Sequence, residues 1–289
     1  MSRGGQAGTP FPELFPLRPD GERPPLFLVH PSGGSTVPYI SLVRLLDTGQ
    51  PALGIDAAGL DGGQPAEADA MIDCYLAQIV AAQPQGPYHL TGWSVGGVLA
   101  FGIAAALRAR GAAVGLLALL DTFDWEPRDG EPDPVELLLL FVATLAGSMG
   151  KPPPHLDPRR LRGLSPDERF TMVFAALVES GVASSGVTGF IRQRLSTFSA
   201  IVTALNRWHA PPYDGRIDLV CAADGRGAGQ APFWSSVTTG PVVVHAVPGD
   251  HYTMMRPPHV SVTARLLQDL LDRVAAGRLA AVRRPDAGR

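Results

Sequence analysis

The 289-residue sequence is poor in cysteine, with only Cys74 and Cys221. Two cysteines make no disulfide framework, and neither sits in a Cys-x-x-Cys pair, so a stapled secreted scaffold or a redox dithiol is excluded. Their apolar neighbours mark both as buried structural thiols. Long apolar runs are also missing. The greasiest window, Leu137 to Leu145, falls well short of the roughly 18 residues of a membrane-spanning helix. Met1 to Gln6 lacks the apolar core of a signal peptide, so the expectation is a cytoplasmic protein that needs no membrane. Charge is nearly balanced, with a formal net charge of −3, which gives no electrostatic footprint for nucleic acid. No internal repeat is visible. No metal and no bound cofactor are expected.

What remains is ordinary for a globular enzyme: 45% hydrophobic and 18% charged residues, enough for a sizeable core. Residues 1–24 are rich in Gly and Pro and read as a linker or peripheral arm. Strand and helix signals then alternate. Strands are expected at Leu26–His30, Ala52–Asp56, Tyr88–Thr91 and Val114–Leu120, with helices at Tyr39–Leu46, Ala68–Gln83 and Val95–Arg110. Near-uniform apolar strands separated by helices imply a parallel sheet covered on both faces. From about 125 to 210 the strands give way to helical patterns at Glu136–Gly150, Ser165–Ser180 and Thr188–His209. Strands resume at Arg216–Ala222 and Val242–Val247, followed by a helix at Val260–Ala275 and a tail over 276–289 that carries Arg283 and Arg284. One α/β domain over 25–275 with a helical insertion accounts for this order.

The chemistry centres on Gly92-Trp93-Ser94-Val95-Gly96. A strand before it and a helix after it make the nucleophile elbow, in which serine sits on a strained turn and flanking glycines let strand and helix approach. A serine hydroxyl needs a base, and the base needs an orienting group. His251 follows the last strand directly and is the chosen base; His259, at the start of the final helix, is the alternative. Asp121 and Asp224 both end strands and could supply the acid. Asp121 is reached from an unbroken apolar strand, where a carboxylate needs a buried partner. Asp224 lies in a polar glycine-rich loop, so the surroundings favour Asp121. For an oxyanion hole, the Val95 amide at the helix start is one donor. The second should come from Pro31-Ser32-Gly33-Gly34, with Ser32 or Gly33 as the candidate, because proline has no N–H.

With these residues placed, the chain resembles the thioesterase domains of nonribosomal peptide synthetases and, more loosely, polyketide synthases. The likeness runs from about Phe15 to Leu271. It is carried by Leu28-Val29-His30-Pro31-Ser32-Gly33-Gly34, by Gln83 to Gly97 (QPQGPYHLTGWSVGG), by Leu119-Leu120-Asp121-Thr122 and by Pro248-Gly249-Asp250-His251-Tyr252. The resemblance implies an α/β-hydrolase fold, a Ser94–Asp121–His251 triad and a lid formed by the insertion. It also implies a substrate held as a thioester on the phosphopantetheine of an acyl or peptidyl carrier protein, released as an acid or a macrocycle. No carrier domain precedes this segment, so the expectation is an excised domain or an enzyme acting in trans. Gly33-Gly34-Ser35 lacks the acidic or histidine residue that precedes a carrier's modified serine. Free-standing editing thioesterases are shorter and usually carry His where Trp93 stands, so Trp93 and the long insertion favour the chain-releasing kind. A general carboxylesterase or lipase is the alternative from another substrate class.

Overall fold

The computed structural model describes residues 14–57, 67–125, 127–128, 130–225 and 227–277. The first part of the expected arm and the basic tail around Arg283 lie outside the described residues. The apolar runs pair into one sheet: β1 (Phe15–Arg18), β2 (Leu26–Val29), β3 (Ala52–Ile55), β4 (Tyr88–Trp93), β5 (Val114–Leu120), β6 (Ile217–Ala222) and β7 (Val242–Val247). Their spatial order is β1-β3-β2-β4-β5-β6-β7, with β1 antiparallel to β3 and every other pair parallel. Every residue of β2, β4 and β6 is buried, which explains why these strands read as continuous rather than alternating apolar runs.

The helices are α1 (Ile40–Arg44), α2 (Ala68–Ala82), α3 (Val95–Ala109), α4 (Pro134–Ser148), α5 (Pro158–Arg162), α6 (Pro166–Glu179), α7 (Thr188–Asn206), α8 (Ala231–Val237) and α9 (Val260–Ala275). Helices α2, α3 and α8 cover one sheet face, where Phe27, Leu90, Phe101 and Trp234 pack. Helices α1 and α9 cover the other, around Leu28, Leu42, Leu120 and Leu267. This is the mostly parallel sheet with helical cover expected from the sequence.

Helices α4 to α7 fall between β5 and β6. Three of them start with a capping side chain followed by proline at the first helical position, which locally enforces a helix start. Asp133 accepts from the Val135 amide, Asp157 from the Arg159 amide, and Ser165 forms a capping box with Glu168. The insertion has its own core, including Phe141, Phe170, Leu177 and Phe198. Helix α7 ties it to the sheet, since Ile191 and Phe198 belong to that core while Ile201, Ala204 and Leu205 belong to the sheet core. Among the described residues, no helix is long and apolar enough to cross a membrane.

The structure departs from the sequence reading in a few places. Residues 15–18, read as part of the arm, form the edge strand β1. A four-residue strand containing Pro16 shows no useful periodicity, and proline is tolerated there because an edge strand can spare an N–H. The five-residue α5 and seven-residue α8 are too short for a periodic signal. Cys221 is buried as expected, but Cys74 is only half-buried.

Candidate active site

Parallel strands deliver their C-terminal ends to one edge of the sheet, and there the candidate residues collect. Ser94 stands between β4 and α3 with φ 59° and ψ −130°. Only Ser94 and Asp121 (φ 41°) have positive φ among the described non-glycine residues. Such backbone costs on the order of 1–3 kcal/mol and persists only where surrounding structure holds it. The Ser94 amide donates to the Leu120 carbonyl at 2.9 Å, and the Gly97 amide donates to the Ser94 carbonyl at 3.0 Å. The two motif glycines have separate reasons. A Cβ on Gly92 would run into the Gly96 carbonyl, and one on Gly96 would run into the carbonyls of Val29 and His30. Elbow and β2 loop are therefore in direct backbone contact. Val95 opens α3, and first-turn amides have no intrahelical acceptor.

Asp121 follows β5 and is buried at 1% exposure. Its carboxylate is divided between two partners. Oδ1 accepts from the Ala222 amide of β6 at 3.0 Å, and Oδ2 lies 2.7 Å from His251 Nδ1. This supplies the buried partner that a carboxylate on an apolar strand requires. Because a carboxylate only accepts, Nδ1 donates, and the other ring nitrogen of a neutral His251 is left as an acceptor. Two aromatic rings lie against the imidazole, Trp93 5.1 Å away between centroids and Phe123 4.8 Å away. Trp93 also donates from its indole N–H to the His251 carbonyl at 3.0 Å. Asp250 shapes the loop, its Oδ1 accepting from the amides of Tyr252 (2.9 Å) and Thr253 (2.8 Å). Those amide bonds, Thr253 first, hold the Asp250 carboxyl below the usual carboxylate range.

Asp224 is exposed, and its amide donates to the Gly249 carbonyl at 3.0 Å. The carboxylate brought to His251 is therefore that of Asp121. His259 packs against Gly249 at the start of α9. Among the described residues no hydrogen bond joins the Ser94 hydroxyl to His251, a contact that commonly tightens only when substrate binds.

The loop after β2 is fixed from beneath. His30 is fully buried, and its Nδ1 lies 2.8 Å from the Pro31 carbonyl. Nδ1 must donate there, so Nε2 accepts from the Tyr75 hydroxyl of α2 at 2.7 Å. Burial pushes the His30 pKa down to about 4, which keeps the imidazole neutral. The Gly34 amide donates to the Pro31 carbonyl at 2.8 Å, which leaves Ser32 and Gly33 as the loop's candidate amides. Tyr39 adds a bridge that sequence reasoning missed. Its hydroxyl donates to the Val29 carbonyl at 2.7 Å and accepts from the Trp93 amide at 2.6 Å. That one side chain pins the ends of β2 and β4, so the loop and the elbow keep a fixed spacing. Among the described residues no His, Cys, Asp and Glu group could hold a metal ion.

Comparison with known proteins adds independent findings. The family model of the thioesterase domain matches residues 24–271. The chain is 31% identical over 281 residues to malpibaldin synthetase of Mortierella alpina, covering 93% of this chain and 4% of that protein. It is 32% identical over 224 residues to enterobactin synthase component F of Escherichia coli, covering 77% of this chain and 15% of that protein. It thus spans a small part of the curated relatives it matches. Among solved structures, a four-domain nonribosomal peptide synthetase bound to AMP and glycine superposes with a TM-score of 0.80 at 30% identity, covering 90% of this chain and 20% of that one. The NocB thioesterase domain in covalent complex with a fluorophosphonate nocardicin G analogue shares the fold, at TM-score 0.62 and 23% identity, covering 90% of this chain and all of that one.

Proposed function

Because the chain belongs to the thioesterase domain family, we propose that it releases a peptidyl or polyketidyl chain from the phosphopantetheine arm of a carrier protein through an acyl ester on Ser94. The reading follows from atoms at the sheet edge. The Ser94 hydroxyl attacks the thioester carbonyl while the unprotonated nitrogen of His251 takes its proton. Asp121 holds the imidazole in the needed tautomer and stabilises the imidazolium that forms. The amides of Val95 and of Ser32 or Gly33 bind the developing oxyanion, aided by the positive end of α3. The imidazolium returns the proton to the departing thiol. Water or a nucleophile within the chain then attacks the ester by the same route, giving an acid or a ring.

The observation that carries the reading is the Asp121–His251 bond of 2.7 Å, made by a buried carboxylate at the end of β5, while the neighbouring strand β4 leads into a serine held at positive φ. Trp93 and Phe123 on the His251 ring, and the Asp250 turn beneath it, support the same roles. Helices α4 to α7, inserted between β5 and β6 with a core of their own, are read as a lid over the acyl pocket. The domain over 25–275 is read as one catalytic unit that meets an acyl or peptidyl carrier protein.

The test sets acyl-N-acetylcysteamine thioesters beside p-nitrophenyl esters of the same acids. Thioesters are expected to turn over with the higher kcat/KM, Ser94→Ala to remove turnover, and a fluorophosphonate to label Ser94. A strong preference for short simple esters would return the chain to the general esterases.

A further inference from the structure

Helix α7 rests one face directly on the β2 loop. A Cβ built on Gly34 would meet Thr197 and Ala57, with Ile201 Cδ1 at 3.8 Å, and one built on Gly33 would stand 3.9 Å from Arg194 Nη2. Arg194, Thr197 and Ile201 are spaced i, i+3 and i+7, which places them along one side of the helix. The insertion therefore delivers a guanidinium to the very loop that offers the Ser32 and Gly33 amides. Arg194 is half-buried. The Phe190 ring lies 5.4 Å from its guanidinium carbon, centroid to carbon, and the carboxylate whose charge acts on it is that of Asp56. Asp56 is already engaged, accepting from the Thr36 amide at 2.6 Å and the Thr36 hydroxyl at 2.5 Å. Among the described residues no acceptor takes a hydrogen bond from the Arg194 guanidinium. Its five donors form a planar fork that matches a carboxylate.

We propose that Arg194 is a specificity-determining residue that selects acyl chains bearing a carboxylate near the thioester. This rests on the thioesterase reading above. The position argues for the acyl chain rather than the carrier's arm. Arg194 lies at the loop where the thioester carbonyl would be bound, whereas the phosphate sits at the far end of pantetheine from the sulfur. A neutral chain leaves the cation partly desolvated and unpaired, while a carboxylate gives it charge-assisted hydrogen bonds.

The test uses two N-acyl dipeptidyl N-acetylcysteamine thioesters that differ only in a side-chain carboxylate or carboxamide, glutamate against glutamine. The wild-type protein is expected to favour the glutamate substrate in kcat/KM by about tenfold or more, the lower range for a hydrogen bond to a charged group. Arg194→Gln is expected to bring the ratio within about twofold of unity, and Arg194→Lys to keep part of it, because lysine supplies charge without the fork. Raised ionic strength should narrow the wild-type ratio and leave that of Arg194→Gln in place. Turnover of both substrates without discrimination, or a ratio that survives Arg194→Gln, overturns the inference and leaves the thioesterase reading standing. No turnover of either substrate by the wild-type protein overturns both.

Discussion

Replacing Asp121 by asparagine is a near-isosteric change whose consequence follows from the hydrogen bonds already described. The carboxylate accepts two donors, the Ala222 amide at 3.0 Å and His251 Nδ1 at 2.7 Å. An asparagine has one oxygen to offer and must choose. If the oxygen stays with Ala222, the carboxamide N–H₂ faces His251 and drives the ring into the other tautomer. The nitrogen that should accept the serine proton then carries one. If the amide flips, the Ala222 amide loses its acceptor and faces a donor, at a cost of about 1–3 kcal/mol for a buried unsatisfied group. Both arrangements also lose the negative charge that stabilises the imidazolium. The equivalent change in a Ser-His-Asp triad lowers kcat by about 10⁴, or about 5 kcal/mol of transition-state stabilisation at 1.36 kcal/mol per decade. Asp121→Asn should therefore lose about three to four decades of kcat on an acyl-N-acetylcysteamine thioester, with KM changing little. Asp224→Asn, at an exposed position, should stay within about twofold. The assay is steady-state thioester hydrolysis with thermal unfolding measured alongside. An Asp121→Asn protein that folds and retains a tenth of wild-type kcat would refute the reasoning, as would an equal loss from Asp224→Asn.

Other outcomes follow from the same geometry. Burial pushes the pKa of His89 down to about 4, outweighing the opposing pull of the Pro24 carbonyl. The unfolded chain thus binds the proton more readily. Stability is full above the unfolded value near 6.5, falls as pH drops toward 4 and levels off below it, by about 3 kcal/mol for this group. Urea unfolding of the wild type and His89→Leu between pH 7 and 4 should show a smaller pH-dependent loss in the variant, and parallel curves would contradict the assignment. Gly92→Ala places a Cβ against the Gly96 carbonyl; loss of soluble folded protein is expected, and an alanine variant with wild-type unfolding temperature would count against the close approach. Tyr75→Phe removes the donor to His30 Nε2 and should lower kcat more than it raises KM, because the loop amides would lose their fixed aim; an unchanged kcat would dissociate that bond from the loop.

The fold was legible where apolar runs were long and well bounded. Val114–Leu120, Val242–Val247 and Val260–Ala275 are read from sequence with the same limits that the structure has. The edge strand at Phe15–Arg18 was not, because four residues around a proline give no period. At the site, the serine elbow is a local pattern and could be seen, whereas Asp121 is favoured over Asp224 in the sequence only by its apolar strand and by the family resemblance, because which strand end faces the His251 loop is a matter of three-dimensional neighbours. The same holds for Tyr39, whose hydroxyl bridges strands that sequence leaves far apart, and for Phe123 and Asp250 around the histidine. Positive φ at Ser94 is implied by the elbow motif; at Asp121 no residue nearby signals it.

The seating of α7 on Gly34 has a mechanical consequence. Thr197 and Ile201 meet the loop on the same face as Arg194, so displacing this part of α7 would uncover Gly33 and Gly34. It would not undo the spacing of loop and elbow, because the Tyr39 hydroxyl joins the Val29 carbonyl to the Trp93 amide without any help from α7. The fold thus separates the support of the loop from its cover, and the cover can be exchanged or altered while the scaffold around Ser94 stays assembled.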